Sequence, residues 1–457
     1  MWDLKQEQDV EGFYIEFYRC KSSLFQRRMN MKLSMYNILT EKEDGTSILC
    51  NTHTLAVVAL DQKHTKEYKL LDNGKEILDQ EMLAQMFQAG LLINDDMNEK
   101  EALLALNKIC RFSDSSLSLS IAPTLACNFK CPYCYEKGVS YSSMSESLIN
   151  DIGNFFEETL SQIKELSISW YGGEPLLALN IIEKITKMLK NKINDECSYN
   201  ADMVTNGYLL NANVAQTLKK LGVETVQVTL DGSKRAHDSR RILHNNEATF
   251  ETILQNIKNC ADIIRIIVRI NVDKTNIKSA NEIFDWFDKY DLKGKIQFYI
   301  APVDAANESC NSEICMKSAD YAKEEIQFYH YGLQRGYKYN GLGENNYGVC
   351  GAIAWNSFVI DPLGDLYKCW NDIGHKRRSI GNVKQELVIN ENLSKWLNYN
   401  PVRDTECGKC KIFPICFGGC AYYKNEKKCH PMKWNLSEVV NLMKEQKETS
   451  YEKSTIN

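Results

Sequence analysis

The chain has no apolar run close to the roughly 18 residues that a membrane-spanning helix needs, so no membrane partner is expected of its 457 residues. It has no surplus of positive charge either: 55 Lys and Arg stand against 60 Asp and Glu, a formal net charge of −5. Proteins that grip nucleic-acid phosphates are usually basic, so no nucleic-acid partner is expected. The opening Met1-Trp2-Asp3-Leu4-Lys5-Gln6-Glu7 lacks the basic-then-apolar order of a secretory signal, and the expectation is a cytoplasmic chain. Hydrophobic residues at 44% and charged residues at 25% lack the bias of disordered, collagen-like or long coiled-coil chains. The length favours two or three domains.

What the chain does have is 17 cysteines. In a reducing compartment, clustered cysteines more often bind metal than form disulfides. They are sparse in residues 1–110, where only Cys20, Cys50 and Cys110 occur. That segment reads as a small α+β module of winged-helix type. Its expected strands are Leu33–Leu39, Ser47–Cys50 and Leu55–Leu60, and its expected helices lie near Asp79–Ala89 and Glu99–Ile109. It carries no catalytic constellation, which points to binding or docking.

From 115 to 335, strand and helix patterns alternate. Strands are predicted at Leu117–Pro123, Leu166–Tyr171, Ala201–Thr205, Thr225–Leu230, Ile263–Val272 and Lys295–Ala301. Amphipathic helices are predicted near Glu146–Leu160, Ile181–Asn191, Ala212–Leu221, Phe250–Cys260 and Ser279–Tyr290. Six strands with helical crossovers predict an α/β fold with a parallel sheet, a partial (β/α)6 barrel whose chemistry sits at the C-terminal strand ends. Residues 340–435 read as a loop-rich, cysteine-dense domain, and 436–457 as a charged tail.

The first chemical motif is Cys127-x3-Cys131-x2-Cys134, directly after the first barrel strand. Three thiolates can hold a [4Fe–4S] cube and leave one iron without a protein ligand, and an open metal position can take a substrate or cofactor. The competing reading is a zinc site lacking a local fourth ligand. The second motif is Cys350-x13-Gly364-x4-Cys369 followed by Cys407, Cys410, Cys416, Cys420 and Cys429, seven cysteines in 80 residues. So little apolar content is left there that metal must supply folding energy. Zinc ribbons and iron–sulfur clusters are the two readings.

Cys127, Cys131 and Cys134, with Tyr133 before the third cysteine, resemble the CxxxCxxC motif of radical S-adenosylmethionine (SAM) enzymes. Gly172-Gly173-Glu174-Pro175 resembles the family's GGEP motif, and Thr229-Leu230-Asp231-Gly232 with His237-Asp238 and Arg241 resembles its SxDG…HDxxR stretch. The resemblance implies that SAM chelates the open iron, that one electron yields a 5′-deoxyadenosyl radical, and that Tyr133, Gly172, Gly173, Glu174, Pro175, Thr229, Arg241 and Asn271 surround the cofactor. Arg240 is the alternative to Arg241. Thr205-Asn206-Gly207 is expected only to shape the mouth of the site.

The C-terminal cysteines resemble the SPASM pattern, which holds two auxiliary [4Fe–4S] clusters. This implies Cys350, Cys369 and Cys420 for the first and Cys407, Cys410, Cys416 and Cys429 for the second, three clusters in all. Some relatives carry an eighth cysteine before the Cys350 position; Gly341–Val349 has none, so the first auxiliary cluster would keep an open iron unless Cys310 or Cys315 reaches it. The remaining Cys20, Cys50, Cys110, Cys197 and Cys260 are expected to be small buried apolar residues.

Residues 1–110 resemble the leader-peptide recognition element of ribosomal peptide (RiPP) maturases, which binds a leader as an added strand. Sulfatase-maturing relatives usually have Asp after the second SPASM cysteine; Trp370 stands there, with Asp372 nearby. The resemblance therefore implies an oxidoreductase-type maturase forming thioether cross-links in a ribosomally made precursor peptide with a leader. A flavodoxin or ferredoxin would supply electrons. The alternatives are carbon–carbon cross-linking or epimerisation of a peptide, and behind them a sulfatase-maturing-type enzyme or a non-catalytic iron–sulfur electron carrier.

Overall fold

The computed structural model describes residues 2–3, 31–75, 79–309, 311–343, 347–402, 404–423 and 428–455. They form two compact units. One comprises Met1–Cys110, Tyr339–Val349 and Asn400–Asn457, the other Arg111–Lys338 and Cys350–Tyr399. The segment 340–435 is thus shared between them.

In the first unit, β1 (Trp2–Asp3), β3 (Asn37–Glu41), β4 (Ser47–Asn51) and β5 (Val57–Leu60) make an antiparallel sheet in the order β1-β5-β4-β3. The expected strand Leu33–Leu39 is in fact two strands. β2 (Met31–Leu33) pairs with β6 (Leu92–Asn94), and the chain turns before β3. The buried Glu99 carboxylate holds that turn, accepting from Ser34 Oγ at 2.6 Å and from Met35 N at 2.7 Å. A polar helix, Gln62–Asp72, escaped the sequence pattern; only Thr65 and Tyr68 of it are buried. Met82 and Met86 of the helix Gln80–Gln88 pack with Leu49, Leu60 and Leu92. Tyr36 and Leu103 pack with Phe413 and Phe417, joining the loop that carries Cys410 to the helix Glu99–Arg111.

The second unit is a nine-stranded sheet in the order β12-β11-β10-β9-β8-β7-β13-β14-β15. Its barrel strands are β7 (Ser116–Ile121), β8 (Glu165–Trp170), β9 (Ser198–Thr205), β10 (Val223–Leu230), β11 (Arg265–Val272) and β12 (Ile296–Pro302), all parallel. This is the expected α/β partial barrel. Side chains alternate across each strand. Leu117, Leu119 and Ile121, Leu166, Ile168 and Trp170, and Ile266, Val268 and Ile270 are 0–1% exposed. Each such residue contributes roughly 1.5–3 kcal/mol by burial. The opposite face carries Ser118, Ser120, Ser167, Ser169, Gln227 and Arg269, which line a cavity. The interior of the barrel is therefore an open chamber with polar groups on these strands, unlike the side-chain-filled interior of a closed barrel.

The expected helix Glu146–Leu160 breaks at Phe156 into Glu146–Phe155 and Glu157–Gln162. Phe156 leaves helical geometry (φ −99°, ψ 7°) and packs on Phe358 with ring centroids 5.3 Å apart. Phe358 belongs to β13 (Ser357–Ile360), which pairs parallel with β7; β14 (Asp365–Tyr367) and β15 (Gly381–Asn382) extend the sheet antiparallel. Among the described residues no helix is long and apolar enough to cross a membrane.

Cys50 and Cys260 are buried as expected, but Cys110 is exposed and Cys197 half-buried; Cys20 lies outside the described residues. On the helix Glu99–Arg111 the buried stripe runs through Leu103, Asn107 and Arg111, and Cys110 lies off it.

Candidate active site

β7 ends at Ile121, and the loop after it brings Cys127, Cys131 and Cys134 into the wall of one cavity of about 1040 Å³. Two backbone hydrogen bonds tie this loop to the end of β8: Gly173 N to Thr124 O at 3.1 Å and Glu174 N to Ala126 O at 2.9 Å. The approach leaves no room for side chains. A Cβ on Gly172, whose φ is +116°, would lie 2.6 Å from Thr124 O, and one on Gly173 would lie 2.3 Å from Ala126 O. The glycines thus serve the packing of the cysteine loop.

Gly172 and Gly173 line the cavity, whereas Glu174 and Pro175 do not. The Glu174 carboxylate is fully buried and accepts from Thr205 Oγ1 at 2.7 Å, Leu176 N at 3.1 Å and Asn206 N at 2.8 Å. Those bonds join the ends of β8 and β9 through this carboxylate. Pro175 opens the short helix Pro175–Ala178 behind the wall.

Thr205-Asn206-Gly207 does more than shape the mouth. Asn206 Nδ2 donates to Asn128 Oδ1 at 2.7 Å and points at Cys127 Sγ at 4.0 Å; Phe129 N donates to the same sulfur at 3.4 Å. Hydrogen bonds to ligand sulfurs tune a cluster's potential. The available signal was the position of Asn206 at a strand end on the cysteine edge.

The three thiols test what metal the loop suits. Burial pushes the Cys127 and Cys134 thiols up to about 12, and raises Cys131 as well. Thiolate at neutral pH therefore depends on bound metal. Among the described residues no three cysteine sulfurs lie within 4.8 Å of one another. A single tetrahedral zinc at Zn–S of about 2.3 Å would hold its sulfurs about 3.8 Å apart. The wider spread fits ligands on separate irons of a cluster.

Beside the loop, Tyr133 donates from its hydroxyl to Asp231 at 2.6 Å and accepts from Arg241 Nη1 at 3.2 Å. Asn271 Nδ2 lies 3.5 Å from that hydroxyl. Thr229, Arg241, Asn271 and Tyr133 all face the cavity. Arg241 Nε is buried without a hydrogen-bond partner, an orphaned donor that suits an anionic group. Arg240 instead pairs with Asp231 at 3.0 Å and Asp273 at 2.9 Å, a partly buried structural cation. His237 is buried with Nε2 3.0 Å from Thr249 Oγ1, away from the cavity.

Cys350 and Cys369 line the same cavity. Lys368, almost wholly buried, donates to the carbonyls of Ala354, Trp355 and Ser357 and so fixes the Cys350 segment against the strand leading to Cys369. Tyr135, Tyr171 and Trp370 form an aromatic wall: Tyr135 and Tyr171 stack at 6.1 Å, and Tyr171 and Trp370 lie 4.1 Å apart. Glu136 sits beside them, its carboxyl raised to about 7 by burial. Asp372 does not line the cavity; it pairs with Arg378 at 3.2 Å. Cys315 is not a lining residue either, and Cys310 lies outside the described residues.

In the first unit, Cys407, Cys410, Cys416 and Cys429 line a separate pocket of about 300 Å³, close enough for their charges to act on Cys416. Cys420 belongs to this unit and is exposed.

A parallel partial barrel with three thiols at its C-terminal rim is the architecture of a radical SAM protein, and residues 121–287 match the family model described as the Radical SAM superfamily. Residues 121–287 are thus a radical SAM domain, which makes the chain a radical SAM enzyme and implies SAM and a [4Fe–4S] cluster. It is 25% identical over 394 residues, 78% of each chain, to the radical SAM cyclopropyl synthase TigE of Paramaledivibacter caminithermalis. It is 24% identical over 356 residues, 70% of this chain and 92% of the relative, to a cysteine-type anaerobic sulfatase-maturating enzyme of Clostridium perfringens. Its fold is shared by anSMEcpe with bound AdoMet and the Kp18Cys peptide (TM-score 0.57, 21% identity, 72% of this chain and 99% of that one). It is also shared by Streptococcus suis SuiB bound to the precursor peptide SuiA (TM-score 0.51, 16% identity, 88% and 98%).

Proposed function

We propose that this chain is a peptide maturase that forms thioether cross-links in a ribosomally made, Cys-containing precursor. In this reading Cys127, Cys131 and Cys134 hold the SAM cluster, with Tyr133, Gly172, Gly173, Glu174, Pro175, Thr229, Arg241 and Asn271 around the cofactor. Cys350, Cys369 and Cys420 hold one auxiliary cluster and Cys407, Cys410, Cys416 and Cys429 the other. Residues 1–110 dock the leader, and a flavodoxin or ferredoxin supplies electrons.

The observation that carries the reading is that Cys350 and Cys369 share one chamber with the Cys127 loop. Thiolate-rich metal ligands there face the space where a peptide carbon would react, and a soft iron site favours a peptide sulfur. When bound, the cofactors supply a 5′-deoxyadenosyl radical that takes one hydrogen atom, and a sink for the electron left as the carbon–sulfur bond forms. Arg241 supplies a cation for the methionine carboxylate, Tyr133 holds that cation, and the aromatic wall excludes water. A peptide substrate agrees with the relatives' names and with the peptides bound in the two solved structures. Trp370 in the wall, with Asp372 engaged by Arg378, argues against the sulfatase-maturing variant.

The test is anaerobic turnover with SAM, reductant and the Cys-containing precursor encoded beside the gene. The expected product has lost two hydrogens and resists iodoacetamide at its cysteine, and a Cys→Ser precursor yields none. A product lacking two hydrogens but still alkylated would indicate a carbon–carbon bond. Deuterium uptake from solvent without mass loss in ordinary water would indicate epimerisation.

Tyr133→Phe tests the cofactor side. It removes the hydroxyl that both Asp231 and Arg241 use. SAM affinity measured by equilibrium dialysis should fall about tenfold, the effect of one lost charge-assisted bond. An unchanged affinity would remove Arg241 from the carboxylate role.

A further inference from the structure

The chamber reaches well below the cofactor rim, and the cations facing it differ in how they are engaged. Arg241 meets Tyr133 at the rim. Lys368 is spent on three backbone carbonyls. Arg265, exposed at the start of β11, donates from Nε to Thr225 Oγ1 at 2.7 Å. Arg269 lies between these levels. It is on β11, two residues before Asn271 and on the same inward face, with Thr229 beside it on β10 and Tyr299 beside it on β12.

Its placement is built. Arg269 Nε donates to Asn271 Oδ1 at 2.9 Å, and the guanidinium lies 5.9 Å from the centroid of the Tyr299 ring. The Tyr299 hydroxyl is itself held, donating to Gln227 Oε1 at 2.7 Å. Arg269 is near enough to Tyr171 for its charge to act on that phenol. Among the described residues it forms no ion pair, its two terminal nitrogens make no hydrogen bond, and the residue lines the chamber. A guanidinium held by Nε presents a planar pair of donors, which matches a carboxylate in two parallel bonds. Neutral backbone carbonyls would satisfy the donors but not the charge.

We propose that Arg269 anchors a substrate carboxylate, either an Asp or Glu side chain near the reacting residue or the C-terminal carboxylate of the precursor. This rests on the peptide-maturase reading and names a feature of the peptide. Arg269 is then the specificity residue of the chamber: the anchored carboxylate fixes which residue of the peptide lies under the cofactor rim.

The test measures binding to reconstituted enzyme with SAM present, by calorimetry. The probes are three synthetic peptides sharing one Cys-containing sequence. One is capped at both ends with Asn beside the cysteine, one is capped with Asp in place of the Asn, and one keeps the Asn but has a free C-terminal carboxylate. At least one carboxylate peptide should bind about tenfold more tightly than the neutral one, and which of the two does so identifies the source of the carboxylate. Arg269→Gln should erase the preference and Arg269→Lys should keep part of it. The inference is overturned if the neutral peptide binds as tightly as both acids, or if the preference survives in R269Q. It is also overturned if R269Q loses affinity for SAM while its peptide preference stays intact, which would make Arg269 a cofactor residue. Each of the three follows the precursor's own leader, so if the wild type binds none of them the peptide reading itself falls and the anchor with it.

Discussion

Replacing Cys127, Cys131 and Cys134 together with alanine is expected to abolish reductive cleavage of SAM and to remove about four of about twelve irons from the reconstituted enzyme. Three thiolates and the cofactor would be all that hold that cluster. The thiols are otherwise neutral, with burial pushing Cys127 and Cys134 up to about 12, so metal binding alone stabilises their charged form. The second set, Cys407, Cys410, Cys416 and Cys429, lies in its own pocket in the other unit. Its iron should therefore survive. Iron and sulfide analysis read beside a cleavage assay checks both parts. Full cleavage by the triple variant would sink the cofactor assignment, and stoichiometric zinc with only four irons would give the C-terminal cysteines to zinc.

Gly173→Ala should come close to the same result without touching a ligand. Its new Cβ would lie 2.3 Å from Ala126 O and 2.6 Å from Leu125 O. These are backbone atoms of the cysteine loop, so no side chain can rotate aside. Relief requires parting the loop from β8, which breaks the bonds from Gly173 N to Thr124 O and from Glu174 N to Ala126 O. Overpacking plus two lost buried hydrogen bonds costs about 3 kcal/mol or more. The displaced segment ends at Cys127, so loss of the SAM cluster should be the dominant symptom. Gly138→Ala is the control: it lies in the same loop at φ +85° with nothing within 4 Å of a Cβ, so it should cost only about 1 kcal/mol of backbone strain and keep its iron. A G173A protein with wild-type iron and cleavage would show that the loop does not need this contact.

The barrel was legible because each strand satisfies a local rule. β8, expected at Leu166–Tyr171 and found at Glu165–Trp170, alternates Leu166, Ile168 and Trp170 with Ser167 and Ser169. β13, β14 and β15 were not legible. They are two to four residues long and exist through pairing with distant partners, Phe358 beside Leu119 for instance. The cysteines and glycines of the site could be read because each motif is contiguous. The sequence located Glu174 in its motif but could not tell whether its carboxylate would face the cofactor or the scaffold, because Thr205 and Asn206 reach it from another strand. The aromatic wall is harder still: Tyr135, Tyr171 and Trp370 come from three separate segments, and only the sheet order brings them together.

The alternation of the barrel strands has a consequence for how such a protein can change. Folding free energy is concentrated on the outward side chains, Leu119, Ile168, Val268 and their neighbours, which are 0–1% exposed. The inward positions, Ser118, Ser169 and Gln227 among them, meet the chamber and contribute little to that sum. A substitution there alters what the chamber accepts while leaving the packed layer as it was, so most of the stability lost when specificity is remodelled elsewhere is not lost in this barrel. Descendants of one such chain can diverge in the molecules they take in while inheriting, unaltered, the scaffold that keeps three sulfurs on one rim.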